Sequence, residues 1–246
     1  MNFLKPKFWS KKNSLISLLL LPVSFFVQIL IILKRNITNQ KKFKIPIICV
    51  GNIYLGGTGK TPLSIMISKE LSIKGLNPAI IKKYYPEHHD EHSMINKDTN
   101  NLFLSSKRSE AIQAAINKNY SSIILDDGFQ DFSIKKNLNI VCFNSRQLIG
   151  NGMTLPSGPL RESISEIKRA QIVIINGLKN QPFENMILNI SNKIKIYYSK
   201  YTLLNKEQFV NKKLFAFAGI GNPNNFFSLL VENNLDLQKS LAFPDH

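Results

Sequence analysis

The sequence predicts an α/β protein, a mostly parallel sheet with helices on both faces, preceded by one apolar helix at the N-terminus. Three observations carry that prediction. Short runs rich in β-branched residues alternate with helix-period segments from Ile45 to Ala218, the pattern that strand–helix–strand units leave in a chain. A glycine-rich turn running from Gly51 to Thr61 joins the first of those runs to the first of those helices. Ahead of both, Ser14 to Leu33 carries no charge and is bracketed by basic residues.

The uncharged stretch comes first in the chain. As one helix it would be about 30 Å long, the thickness of a bilayer's hydrocarbon core. Lys5, Lys7, Lys11 and Lys12 precede it, and Lys34, Arg35, Lys41, Lys42 and Lys44 follow. With both flanks basic, the positive-inside rule gives a span no orientation. No small-residue cleavage site precedes Lys34, which argues against a removable signal peptide. Its polar residues Ser14, Ser17, Ser24 and Gln28 fall on one side of a helix, and Arg35 continues the line. A narrow polar stripe of this kind suits a helix lying in the membrane interface, or one docked on its own domain with the rest facing lipid. The favoured expectation is a helix in the cytoplasmic leaflet with its lysines against anionic headgroups; the alternative is a buried core helix.

Next, Ile45 to Val50 has the composition of a buried strand, and Pro62 to Leu71 is apolar at helical spacing and closed by Gly75. A strand, a glycine turn and a helix in that order form a P-loop, so the fold expected is P-loop NTPase-like. Backbone N–H groups from Tyr54, Leu55, Gly56, Gly57, Thr58 and Gly59 would wrap phosphate oxygens, helped by the helix dipole. Lys60 would reach the β/γ-phosphates of ATP, and Thr61 would offer its hydroxyl to Mg²⁺. Tyr54 stands where the usual pattern opens with glycine. A glycine-rich turn with a chance Gly-Lys-Thr is the bland alternative.

Further strands are expected at Asn77 to Lys82, Leu102 to Leu104, Ser122 to Leu125, Leu138 to Phe143, Ile172 to Ile175, Ile194 to Tyr198 and Leu214 to Ala218, with a helix from Ser109 to Lys118. Ligands in open α/β sheets bind beyond the carboxyl ends of the strands. Three acidic features land there. Asp126-Asp127 closes a strand, from where it would hold Mg²⁺ directly or through water; an Asp-Gly turn is the alternative. Asp90-Glu91 lies in a histidine-rich segment where one carboxylate could accept a proton from an attacking hydroxyl. Read as a solvated polar loop, that segment has no regular metal-ligand spacing. The rigid Pro156-Ser157-Gly158-Pro159 loop presents Arg161 for phosphate and Glu162 for metal or a sugar hydroxyl; a plain helix entry is the alternative.

Composition narrows the partners. An excess of 32 Lys+Arg over 16 Asp+Glu, net +16, favours nucleic acid, an anionic membrane or phosphorylated substrates. Nucleic acid is not expected, because no basic helix or aromatic platform motif accompanies the charge. Cys49 and Cys142 sit in apolar runs without disulfide or metal spacing, as small core residues in a reducing compartment.

Five motifs together make a resemblance. Gly51-Asn52 with Gly56-Gly57-Thr58-Gly59-Lys60-Thr61-Pro62, Asp126-Asp127-Gly128-Phe129-Gln130, Gly150-Asn151-Gly152, Pro156 to Glu162, and Phe215 to Pro223 resemble the tetraacyldisaccharide 4'-kinase (lipid A 4'-kinase) family. The closing Phe243-Pro244-Asp245-His246 is similar to that family's late motif. The resemblance implies ATP-dependent phosphorylation of the 4'-hydroxyl of a lipid A disaccharide precursor on the cytoplasmic face of the bacterial inner membrane, with no obligate protein partner. It assigns Lys60 and Thr61 to phosphate and Mg²⁺, and Asp126, Asp127 and Glu162 to the metal region. His89-Asp90-Glu91-His92 matches the spacing of the family's catalytic motif, making Asp90 the base, His246 its assistant, and Glu91 and Arg161 substrate contacts. Lys82-Lys83-Tyr84-Tyr85 departs from the family's Ser-Arg-Gly-Tyr, and family chains continue past the last motif. The expected division is 1–44 membrane-associated helix, 45–170 P-loop kinase core and 171–246 a C-terminal α/β part shorter than the family's. The rival class is a membrane-associated P-loop switch ATPase without a small acceptor. Such proteins commonly carry a second lysine early in the loop, where Leu55 stands here.

Overall fold

The computed structural model describes residues 5–86, 89–220 and 223–243. Its centre is a seven-stranded sheet in the order β3-β2-β4-β1-β5-β6-β7, every neighbouring pair parallel. The strands are β1 (Ile47–Gly51), β2 (Pro78–Lys83), β3 (Leu102–Ser105), β4 (Ser122–Asp126), β5 (Leu138–Asn144), β6 (Ile172–Asn176) and β7 (Lys195–Ser199). β4 is buried along its whole length and β1 nearly so. Strands covered on both faces need no polar alternation, which is why both read as continuous apolar runs. The chain order reverses at β1, flanked by β4 and β5, so a crevice opens at its carboxyl end.

One face of the sheet is covered by α3 (Lys60–Ile73) and α4 (His89–Thr99), whose Leu63, Ile65 and Ile95 pack on Val50, Ile80, Ile124 and Ile140. The other is covered by α5 (Arg108–Asn117) and α6 (Gln181–Ile190), through Ala111, Ile112, Ala115, Phe183 and Ile187. The expected strands are all present, each within a residue or two of its predicted place. Two expectations change. The histidine-rich segment, read as a loop, forms α4: Asp90 and Glu91 occupy its first turn, favourable to the helix dipole, and Ile95 anchors it in the core. Ser109, where the α5 helix was expected to open and its hydroxyl to cap it, lies inside the first turn instead, and Lys107 takes the capping position. The sheet also runs past residue 170 through β6 and β7 to Ser199. A smaller unit follows, β8 (Lys213–Ala218) paired in parallel with β9 (Asp236–Ala242) and packed on α7 (Pro223–Glu232). Arg146, just after β5, reaches Ser228 and Glu232 of α7 and ties the two parts together.

The N-terminal stretch breaks at Leu20 into α1 (Leu15–Leu19) and α2 (Leu21–Ile37), with Pro22 in the first turn of α2, where its missing N–H costs no helix bond. Among the described residues no helix is long and apolar enough to cross a membrane. The polar stripe faces the protein. Ser17 Oγ accepts from Asn151 Nδ2, Ser24 Oγ donates to Ser157 and accepts from its N–H, Gln28 donates to the Arg161 carbonyl, and Arg35 pairs with Glu166. Ser24 is 2% exposed, whereas Leu15, Leu19 and Phe25 are 70% exposed or more. The helix pair is therefore docked by its polar side and presents its apolar side outward, the reverse of a buried core helix.

Candidate active site

The turn after β1 is held open by its own side chains. Asn52, fully buried, donates from Nδ2 to the Gly56 carbonyl at 3.2 Å and to Thr58 Oγ1 at 3.0 Å. Leu55 N donates to the Pro159 carbonyl at 2.8 Å, and Tyr54 bridges antiparallel to Leu160. Tyr54, in place of the usual glycine, thus fastens the turn to the Asn151–Glu162 segment. Gly59 closes the turn at φ 86°, in the left-handed region, and starts α3. Lys60 and Thr61 are then the first residues of a helix whose free N–H groups and dipole favour an anion. Gly51 serves a different need: a Cβ there would lie 2.5 Å from Cβ of Phe129, so the turn after β1 and the turn after β4 can meet only through glycine.

Asp126 ends β4 beside the turn and is wholly buried. Thr61 Oγ1 donates to it at 3.0 Å, Ser64 Oγ at 3.1 Å and Lys82 Nζ at 2.6 Å. Lys82 lies near the end of β2, itself 5% exposed, and its ammonium also pairs with Glu91 at 2.5 Å. Burial pushes the Lys82 pKa down, but Asp126 and Glu91 outweigh it and hold the group above the usual lysine range. Asp127 adopts φ 56°, a conformation Asp tolerates better than most residues. Arg161 Nη1 donates to both its oxygens, at 2.9 and 3.1 Å, and Lys60 Nζ lies 3.8 Å away. Burial raises its pKa, yet Lys60 and Arg161 together hold the carboxyl well below the ordinary range.

The predicted residues are thus brought together unevenly. Lys60, Thr61, Asp126, Asp127 and Arg161 form one contact set, and Glu91 joins it through Lys82. Asp90 neighbours Glu91 in the first turn of α4, which packs against α3 and is joined to it by the Lys69–Asp98 pair. Glu162, 1% exposed, accepts from Gln130 Nε2 and Arg169 Nη2 instead. Among the described residues no group of three His, Cys, Asp or Glu forms a metal cluster, so Asp126, Asp127 and Glu162 do not converge. His92 stacks on Tyr84, and its ring lies 6.4 Å from that of His89. His246 lies outside the described residues, as do Glu87, His88, Gly221, Asn222, Pro244 and Asp245. Missed in the sequence were Ser64, whose only signal is its place one turn after Thr61, and Gln130, which donates to the Asn52 carbonyl as well as to Glu162. Lys82 was visible only as a departure from a motif.

Oxygen donors at a helix N-terminus, gathered where a parallel sheet reverses its strand order, mark a P-loop protein built to act on nucleotide phosphates. Its relatives specify which kind. Residues 16–246 match the model of the tetraacyldisaccharide-1-P 4'-kinase family, and the chain belongs to that family. The tetraacyldisaccharide 4'-kinase of Pelagibacter ubique is 43% identical over 253 residues, covering 100% of this chain and 79% of the relative. That of Legionella pneumophila is 32% identical, covering 100% and 81%. A crystal structure of LpxK from Aquifex aeolicus, in complex with ATP, superposes with a TM-score of 0.71 at 22% identity, covering 94% of this chain and 83% of that one, and so shares the fold. Membership makes the chain a kinase of lipid A biosynthesis.

Proposed function

We propose that this chain transfers the γ-phosphoryl group of ATP to the 4'-hydroxyl of a tetraacyldisaccharide 1-phosphate at the cytoplasmic surface of the bacterial inner membrane. The observation that carries the reading is the run of contacts from Thr61 through Asp126 and Lys82 to Glu91, which sets the turn bearing Asp90 beside the phosphate-binding helix end. Phosphoryl transfer asks mainly for positioning and charge neutralisation. Lys60 and the turn's amides supply neutralisation; Asp90, exposed at the head of α4, takes the proton from the sugar hydroxyl as the new P–O bond forms. The hydroxyl of Thr61 and the carboxylates of Asp126 and Asp127 are hard oxygen donors of the type Mg²⁺ takes, and Mg²⁺ held there would neutralise the β- and γ-phosphate oxygens. Glu91, through Lys82, fixes the α4 turn. Arg161 orients Asp127 and carries positive charge toward a phosphate, and His246 remains assigned as assistant to Asp90 on the motif alone.

A glycolipid with four acyl chains stays in its leaflet, so the enzyme must work there. The outward apolar side of α1 and α2, with lysines before and after, supports seating in the anionic cytoplasmic leaflet. The test is Lys60→Ala, assayed for ATP turnover with and without the glycolipid. Transfer should fall by about 100-fold or more, as when a transition-state contact is removed. Unchanged transfer overturns the P-loop role, and wild-type turnover that needs no glycolipid overturns the acceptor.

A further inference from the structure

A pocket of about 320 Å³ opens where the end of α2 meets the loop between β4 and β5. Its wall includes Asn139, near the start of β5, whereas the nucleotide turn begins beyond Gly51, which pairs with Val141 further along that strand. Lys41 fastens the two sides together: its N–H donates to the Ser133 carbonyl at 2.8 Å, and its own carbonyl accepts from Lys135 N at 3.0 Å. Arg35 and Gln40 line the pocket from the helix side. Beside them Leu33 and Ile37 stand 52% and 78% exposed, so the pocket adjoins the end of the helix whose apolar side faces away from the fold.

The lining is basic. Arg35, Lys135, Lys136 and Arg169 bring four cations against one carboxylate, Asp131. That carboxylate is already engaged by Arg108 and Ser133, and behind the wall Glu166 and Glu162 are engaged by Arg35 and Arg169. Arg169 also lies over two rings, its guanidinium carbon 4.1 Å from the centroid of Phe129 and 5.2 Å from that of Phe132. Lys136 Nζ donates to the carbonyl oxygens of Phe129 and Asp131. Burial pushes its pKa down and Arg169 and Arg108 add to that, so the nearby Asp131 does not restore the usual lysine range. Lys135 is exposed next to it in the chain. With the carboxylates spent on guanidiniums, two ammonium groups are left to offer an anion. Resting on the seating of α1 and α2 in the leaflet proposed above, we infer that this pocket binds the phosphate headgroup of an anionic phospholipid, with Lys135 and Lys136 on the phosphate oxygens. Free phosphate meets the same cations, but a lipid also uses the apolar side of α2 next door, where its acyl chains run. The protein thus grips one lipid at a place separate from the turn that grips the nucleotide.

The test uses the full chain and a lipid that needs no bilayer, dihexanoyl phosphatidylglycerol below its micelle concentration, titrated by calorimetry into wild type, Lys135→Glu, Lys136→Gln and Lys42→Glu. Lys42, exposed near the same end of α2 but outside the lining, controls for loss of charge in general. Wild type should bind saturably, and dihexanoyl phosphatidylcholine, which carries no net charge, about 10-fold more weakly. Lys135→Glu and Lys136→Gln should each lose about 10-fold in affinity, as for one charge-assisted contact, and Lys42→Glu should stay within about twofold of wild type. Lys135→Glu changes an exposed side chain and carries the test if Lys136→Gln does not fold. No saturable binding, equal affinity for the two lipids, no loss in Lys135→Glu, or the same loss in Lys42→Glu overturns the inference. Inorganic phosphate that displaces the lipid at equal concentration makes this a general anion site and overturns the lipid assignment. Binding of the short-chain lipid by a wild type that fails to float with vesicles of phosphatidylcholine and phosphatidylglycerol upholds the pocket and overturns the seating of the helices instead.

Discussion

Asp127 is the residue on which the charges of the site converge: Lys60, Arg161 and the backbone contact from Arg108 all meet it. Its ionised form is favoured in the fold, with a pKa below the unfolded value, so the native state binds fewer protons there than the unfolded chain does. Asp127 therefore contributes stability that is fully present above about pH 4 and is lost as pH falls through its depressed pKa. Urea unfolding of wild type and Asp127→Asn between pH 7 and pH 3 should show midpoints that converge as the pH drops; a gap constant with pH would place the effect in packing. Lys60, Thr61 and Asp126 were legible in the sequence because their spacing is set by a local turn and by one strand end. Lys82 was not. It meets the site through contacts to Asp126 and Glu91 made by distant elements, and nothing in its neighbouring residues records that. Cys49 and Cys142 behaved as read: burial pushes their thiols up to about 11 and about 12, leaving them as inert core groups at neutral pH.

At the scale of elements, the sheet was readable because buried parallel strands are written as unbroken apolar runs. α4 was not, since only His92 and Ile95 are buried and the rest of the helix is polar but for the exposed Met94. It is fixed by tertiary contacts instead: the Lys82–Glu91 pair at one end and Lys69–Asp98 at 2.7 Å further along. The first of these is shielded and the second exposed, so the first holds the turn. Asp90 inherits its position from that turn. Asp90→Asn keeps the helix start and the size of the side chain, since Asn is also tolerated there, but removes the proposed base. We expect kcat to fall by about 100-fold or more, within the range that general base catalysis supplies, while the ATP dissociation constant moves by about twofold at most. Comparable losses in both would make Asp90 a structural residue of the helix end.

For the molecule as a whole, two forces are available to hold it at a membrane, and they can be pulled apart. The net charge of +16, with no acid before Glu70, gives a basic N-terminal region that anionic lipid attracts over roughly 10 Å at 0.1 M salt and over about 3 Å at 1 M. The outward side of α2 offers Phe25 and Phe26, 70% and 60% exposed, on a helix whose other side is hydrogen-bonded to the loop beside the phosphate turn. If those rings enter lipid, each contributes about 1.5–3 kcal/mol, so replacing both with serine should weaken binding to anionic vesicles by about 100-fold or more. Because both rings point away from the fold, thermal unfolding of the free protein should be unaffected. Flotation at 0.1 M and 1 M salt then distinguishes the contributions: wild type should keep part of its binding at high salt, and Phe25→Ser/Phe26→Ser should keep almost none. Complete loss of wild-type binding at 1 M salt would mean the apolar side never enters the bilayer, and the catalytic turn would then be held to its glycolipid by charge alone.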